Sequence, residues 1–147
     1  MCVSMHYAYS EMEETNEKNY TLDGNKIISD EYKAFDFQNF VEIGDANGMY
    51  DLGYHYEYGI GVKKDEHKAF ICYQKSADMG NVDGIFQVGC CYYFGIGVEI
   101  DKQKAFAYYK QSSEMGSSKG NFKVGVCYLF GIGVAKDNKE AKRYFKK

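Results

Sequence analysis

From Gly44 onward, apolar residues recur at helical spacing. At ~100° per residue, Met49, Leu52, Gly53 and Tyr56 share one face of a helix, and Tyr50, Tyr54 and Tyr58 share the other. This pattern predicts a first helix, A, over 47–58, ended by Gly59, because glycine adopts the left-handed conformation that terminates helices. The turn Gly59-Ile60-Gly61-Val62 follows, with Val62 free to fill the gap between helices. Asp65 then offers a side-chain oxygen to the free amides of a second helix, B, predicted over 66–78. The unit is a helical hairpin.

The whole pattern recurs every 36 residues. Gly44, Gly80 and Gly116 keep this period, as do Gly53, Gly89, Gly125; Gly59, Gly95, Gly131; Gly61, Gly97, Gly133; Tyr56, Tyr92, Tyr128; and Asp65, Asp101, Asp137. Three units result, at 44–79, 80–115 and 116–147, the last stopping four residues short of a period. A helix pair this short cannot bury its apolar stripes alone. Neighbouring pairs must stack, which predicts an all-α, right-handed α-solenoid of helix-turn-helix units.

The run Leu52-Gly53-x-x-Tyr56-x-x-Gly59-x-Gly61-Val62-x-x-Asp65-x-x-Lys68-Ala69-x-x-x-Tyr73, with a second copy from Val88 to Tyr109 and a third matching from Val124 to Asp137, resembles the Sel1-like repeat, a relative of the tetratricopeptide repeat. The resemblance covers residues 44–147. Early in helix A the small residue usual in the family, alanine, is Gly48, Gly84 and Gly120, and the usual aromatic of helix B is Cys72 in the first copy. Each helix-interior glycine costs about 1 kcal/mol relative to alanine, so a soft solenoid is expected unless close helix approach demands them.

Asp30-Glu31-Tyr32-Lys33-Ala34-Phe35 echoes Asp65-Glu66-His67-Lys68-Ala69-Phe70, so residues 30–43 read as a lone B helix capping the first repeat. At the other end, Lys142 stands where earlier copies have Phe70 and Phe106, among Lys139, Arg143, Lys146 and Lys147. A basic last helix suits either a solvent-facing end of the array or a piece of a longer one. Residues 1–29, with Glu11, Glu13, Glu14 and Glu17, read as a largely disordered acidic leader.

Charge divides the chain similarly: residues 1–43 carry nine acids and three bases, while the whole chain carries 21 acids and 18 bases. A net charge of −3 argues against nucleic-acid or polybasic membrane binding. The start, Met1-Cys2-Val3-Ser4, lacks a secretory signal's basic and apolar regions, and no apolar run reaches the ~18 residues of a membrane span, which implies a cytoplasmic protein. In that compartment the acceptor pattern Asn19-Tyr20-Thr21 stays idle.

Enzymatic chemistry finds little to stand on. The Gly-Ile-Gly-Val turns lack the third glycine of a phosphate loop and follow a helix instead of a strand, and neither a Walker sequence nor a Ser-x-x-Lys pair occurs. Cys91 and Cys127 share a column with His55, but equivalent atoms of stacked repeats lie about 8–10 Å or more apart, too far for a disulfide or a shared zinc ion. These cysteines read as small core hydrophobes in a reducing compartment, and Cys2 as an exposed thiol. No cofactor or metal is expected.

Helix A is apolar on both sides, and its second side carries Tyr50, Phe86, Phe122; Tyr54; and Tyr58, Phe94, Phe130. In tetratricopeptide arrays this side lines the concave groove, so the resemblance implies a groove that holds an apolar or amphipathic partner segment. Part of each ring closes contacts between neighbouring A helices. The rest forms an unusually large aromatic surface, of the residue type that most often carries interface energy. The function expected is a non-catalytic adaptor or scaffold, or else a regulatory fragment of a larger signalling protein such as a repeat-bearing kinase.

Overall fold

The computed structural model of the chain describes residue 39 and residues 41–147; the expected acidic leader and most of the expected capping segment lie outside them. After helical residues at 41–43, the described chain runs through α1 (Ala46–Tyr58), α2 (Glu66–Asp78), α3 (Val82–Phe94), α4 (Lys102–Glu114), α5 (Ser118–Phe130) and α6 (Asn138–Phe145). Among the described residues there are no strands. The odd helices are the A helices of the repeat and the even ones the B helices. Each packs against its neighbours in sequence, and α1 also touches α3, as a one-directional stack of hairpins requires.

Every A helix ends alike. Gly59, Gly95 and Gly131 take the left-handed conformation (φ 65°, 74° and 67°), and their amides donate to the carbonyls of His55, Cys91 and Cys127. The orphan carbonyls of the last turn are thereby satisfied within five residues. Asp65, Asp101 and Asp137 then cap the B helices, their side chains accepting from the amides of Lys68, Lys104 and Glu140 at 2.9, 2.9 and 3.0 Å. The A helices start on caps absent from the sequence reading: Asp45, Asn81 and Ser117 accept from the amides of Gly48, Gly84 and Gly120 at 2.7, 2.7 and 3.1 Å. Helix A thus begins one residue earlier than expected.

Two of the helix-interior glycines answer the question of softness. A Cβ at Gly84 would lie 2.9 Å from the backbone nitrogen of Ala77, and one at Gly120 would lie 2.6 Å from that of Ser113. Here α3 and α5 press backbone to backbone on the preceding B helices, α2 and α4, and the glycines are what the approach demands. Gly53 and Gly89 serve a second contact, since the rings of Tyr73 and Tyr109 lie flat where their side chains would be. Two buried clusters result. The first joins Met49, Leu52, Tyr56, Val62, Tyr73, Val88 and Cys91, and the second Tyr109, Val124, Cys127 and Tyr144.

Candidate functional site

The aromatic positions on the second side of the A helices separate into two classes. Tyr50 and Phe86 are half-buried, their rings 5.6 and 5.5 Å from those of Tyr73 and Tyr109 on the B helix of the same hairpin. Phe122 has the equivalent neighbour, Phe145 at 5.9 Å, but is exposed. Farther along each helix, in its last turn, the rings stand in solvent: Tyr58 is 57% exposed, Phe94 58% and Phe130 68%. Tyr54 is also exposed and packs on Tyr58 with ring centroids 4.6 Å apart. The structure therefore brings Tyr54, Tyr58, Phe94, Phe122 and Phe130 to the surface, while Tyr50 and Phe86 chiefly close their own hairpins.

The sequence reading did not single out Glu57. This residue is only 8% exposed, and its carboxylate accepts a 2.5 Å hydrogen bond from the Tyr73 hydroxyl and a second from the Gln87 amide of the next repeat at 3.2 Å. Because Gly53 has no side chain, the Tyr73 ring can lie across α1 and carry its hydroxyl to that carboxylate. The charge is felt around it. Glu57 raises the pKa of Tyr58 chiefly through its negative charge, and burial followed by the charges of Asp83, Glu57 and Asp51 raises that of Tyr50. In the second repeat the equivalent hydroxyl, Tyr109, meets the sulfur of Cys90 at 3.6 Å.

Cations lie over the second repeat's rings. The Lys123 ammonium is 5.5, 5.7 and 5.9 Å from the ring centres of Tyr93, Phe94 and Tyr109. Lys102 sits 3.5 Å from the ring centre of Tyr93 and donates to its carbonyl at 2.6 Å. All four ring distances fall within the ~6 Å reach of cation–π attraction. Lys119 meanwhile pairs with Asp83 at 3.8 Å across adjacent repeats.

Cys91 and Cys127, the column that invited a metal or redox reading, are fully buried in different clusters, while His55 in that column is exposed. Burial pushes the thiols of Cys72 and Cys91 up to about 12 and that of Cys127 up to about 11. Among the described residues, no three His, Cys, Asp or Glu side chains are placed to hold a metal ion.

The hairpin geometry, its glycine spacing and its caps agree with the comparison to known families: the Sel1 repeat model matches residues 46–81, 82–117 and 118–147. The chain belongs to the Sel1 repeat family. Proteins of this family generally mediate protein–protein interactions, and the fold is typically a non-catalytic interaction scaffold. Among solved structures, the chain is similar to c5321, a protective antigen of uropathogenic Escherichia coli strains with the same repeat fold, at 31% identity and a TM-score of 0.71. That match covers 75% of this chain and 24% of the other, so the chain spans about a quarter of that relative. A Sel1 repeat protein from Oxalobacter formigenes matches at 27% identity and a TM-score of 0.68, over 78% of this chain and 86% of its own. Helicobacter pylori cysteine rich protein B shares the fold at 22% identity and a TM-score of 0.60, over 78% and 84% of the two chains. No match was found among curated proteins. Among the described residues, no helix of this Sel1 repeat chain is long and apolar enough to cross a membrane.

Proposed function

We propose that this chain is a non-catalytic adaptor or scaffold that holds an apolar or amphipathic segment of a partner polypeptide along the concave side of its A helices, in the cytoplasm. The observation that carries the reading is the exposure of one aromatic ring at the same position of every repeat: Tyr58, Phe94 and Phe130. A single exposed ring is ordinary, whereas rings repeated with the solenoid's own period are placed to meet one extended segment. Tyr54 and Phe122 widen it. Such rings contribute binding energy when a partner covers them and cost little order on binding, because each has only two side-chain rotations to lose.

The test compares affinity capture by the wild-type chain and by a Tyr58→Ala, Phe94→Ala, Phe130→Ala triple variant whose helicity has been checked by circular dichroism. The expected outcome is that partners retained by the wild type are lost from the folded variant. Equal capture by both chains overturns the aromatic strip as the binding surface.

A further inference from the structure

The repeats of this chain serve as controls for one another, and one position differs in a way that defines a ligand. In the second repeat the ring cluster Tyr93, Phe94 and Tyr109 is covered by an ammonium group of the chain itself, Lys123, within 5.5–5.9 Å of all three ring centres. Thirty-six residues earlier, the same cluster reads Glu57, Tyr58 and Tyr73, and the residue in the place of Lys123 is Gln87. In the first repeat, therefore, the buried residue Glu57 stands in the place of a ring, and a neutral amide stands in the place of the lysine. Glu57 accepts from the Tyr73 hydroxyl and the Gln87 amide, while Lys119 is engaged by Asp83. The exposed ring of Tyr58, which feels the charge of Glu57, lies 4.6 Å from that of Tyr54. Asp51 and Asp83 add to the negative field that Tyr50 senses.

We propose that the first repeat binds a lysine or arginine side chain of the partner segment on the Tyr54 and Tyr58 rings beside Glu57, as Lys123 covers the second repeat from within. This deepens, and rests on, the reading of the A-helix side as the partner-binding surface. The chemistry is that of an aromatic platform for a cation, strengthened by a carboxylate held away from water. The basic side chain then lies at the first repeat, and the apolar side chains run over Phe94 and Phe130.

The test is an NMR titration of the full chain with n-butylammonium and, separately, with the neutral n-pentanol, following the ring signals of Tyr54 and Tyr58 at pH 7. Butylammonium is expected to reach half-saturation at about fivefold lower concentration than pentanol. Gln87→Lys, which installs the second repeat's own lysine, is expected to remove that advantage, as is Glu57→Gln, which keeps an acceptor for Tyr73 without the charge. Equal half-saturation by the two probes in the wild type, or an unchanged advantage in a folded Gln87→Lys variant, overturns the cation site. If the advantage is absent while capture still depends on Tyr58, Phe94 and Phe130, the cation site falls and the aromatic strip stands. If the advantage is present while capture ignores those rings, the cation is held but the segment's path over Phe94 and Phe130 is wrong.

Discussion

At the scale of single residues, glycine in the A helices reverses its usual sign. In an exposed helix, replacing glycine by alanine gains about 1 kcal/mol. At Gly84 and Gly120 the added carbon meets the backbone of the preceding helix, and overpacking of this kind costs about 1–3 kcal/mol. Gly84→Ala or Gly120→Ala is therefore expected to lower the urea midpoint. A rise would mean that the helices have room to part. The buried thiols make a second residue-scale prediction. Cys72 and Cys91 hold their protons up to about pH 12, against an ordinary value of 9.0, and Tyr73 and Tyr109 shift in the same direction. A pKa raised by folding contributes stability that is complete below the unfolded value and lost as pH climbs toward the folded one. The midpoint is thus expected to be flat near neutrality and to fall from about pH 9 toward 12, and thiol reagents are expected to label Cys72, Cys91 and Cys127 only on unfolding. Fast labelling of the native chain contradicts this.

At the scale of the helix, most of what the structure contains was legible in the sequence, because helix ends are local chemistry. Gly59, Gly95 and Gly131 stand out by identity at a fixed period, and so do the B-helix caps Asp65, Asp101 and Asp137. The A-helix caps escaped because their column holds Asp45, Asn81 and Ser117, three residue types with one physical role. Asp101→Ala removes an acceptor 2.9 Å from the Lys104 amide and is expected to cost about 1 kcal/mol of unfolding free energy, read from urea denaturation, with Asp101→Asn nearly neutral. Equal losses in the two variants would assign the effect to charge instead of capping. The aromatic side of the A helices was also legible from helical periodicity, but not which rings it exposes. That depends on Tyr73 and Tyr109 reaching across from the B helices to hold Tyr50 and Phe86, whereas Phe122 stays exposed beside Phe145. The Glu57, Tyr73 and Gln87 group was invisible for the same reason: it joins three helices and two repeats.

At the scale of the molecule, the solenoid follows from one hairpin repeated, so the period alone carried the architecture. What the period did not carry is how successive hairpins are spaced. At each described seam the turn glycine of one repeat, Gly97 or Gly133 at φ 67° and 66°, lies on the first-turn carbonyl of the preceding B helix, at Glu66 or Lys102, with no room for a side chain. Backbone meets backbone there, as it does at Gly84 and Gly120. These contacts limit how successive hairpins can be spaced, at points of the chain that carry no side chain. The surface rings are free to vary in sequence, as Tyr58 and Phe94 already do, without bending the array. The protein separates two heritable properties that most folds entangle: the geometry of its frame, written in glycine, and the identity of what it grips, which can drift one residue at a time while the frame stays as it was.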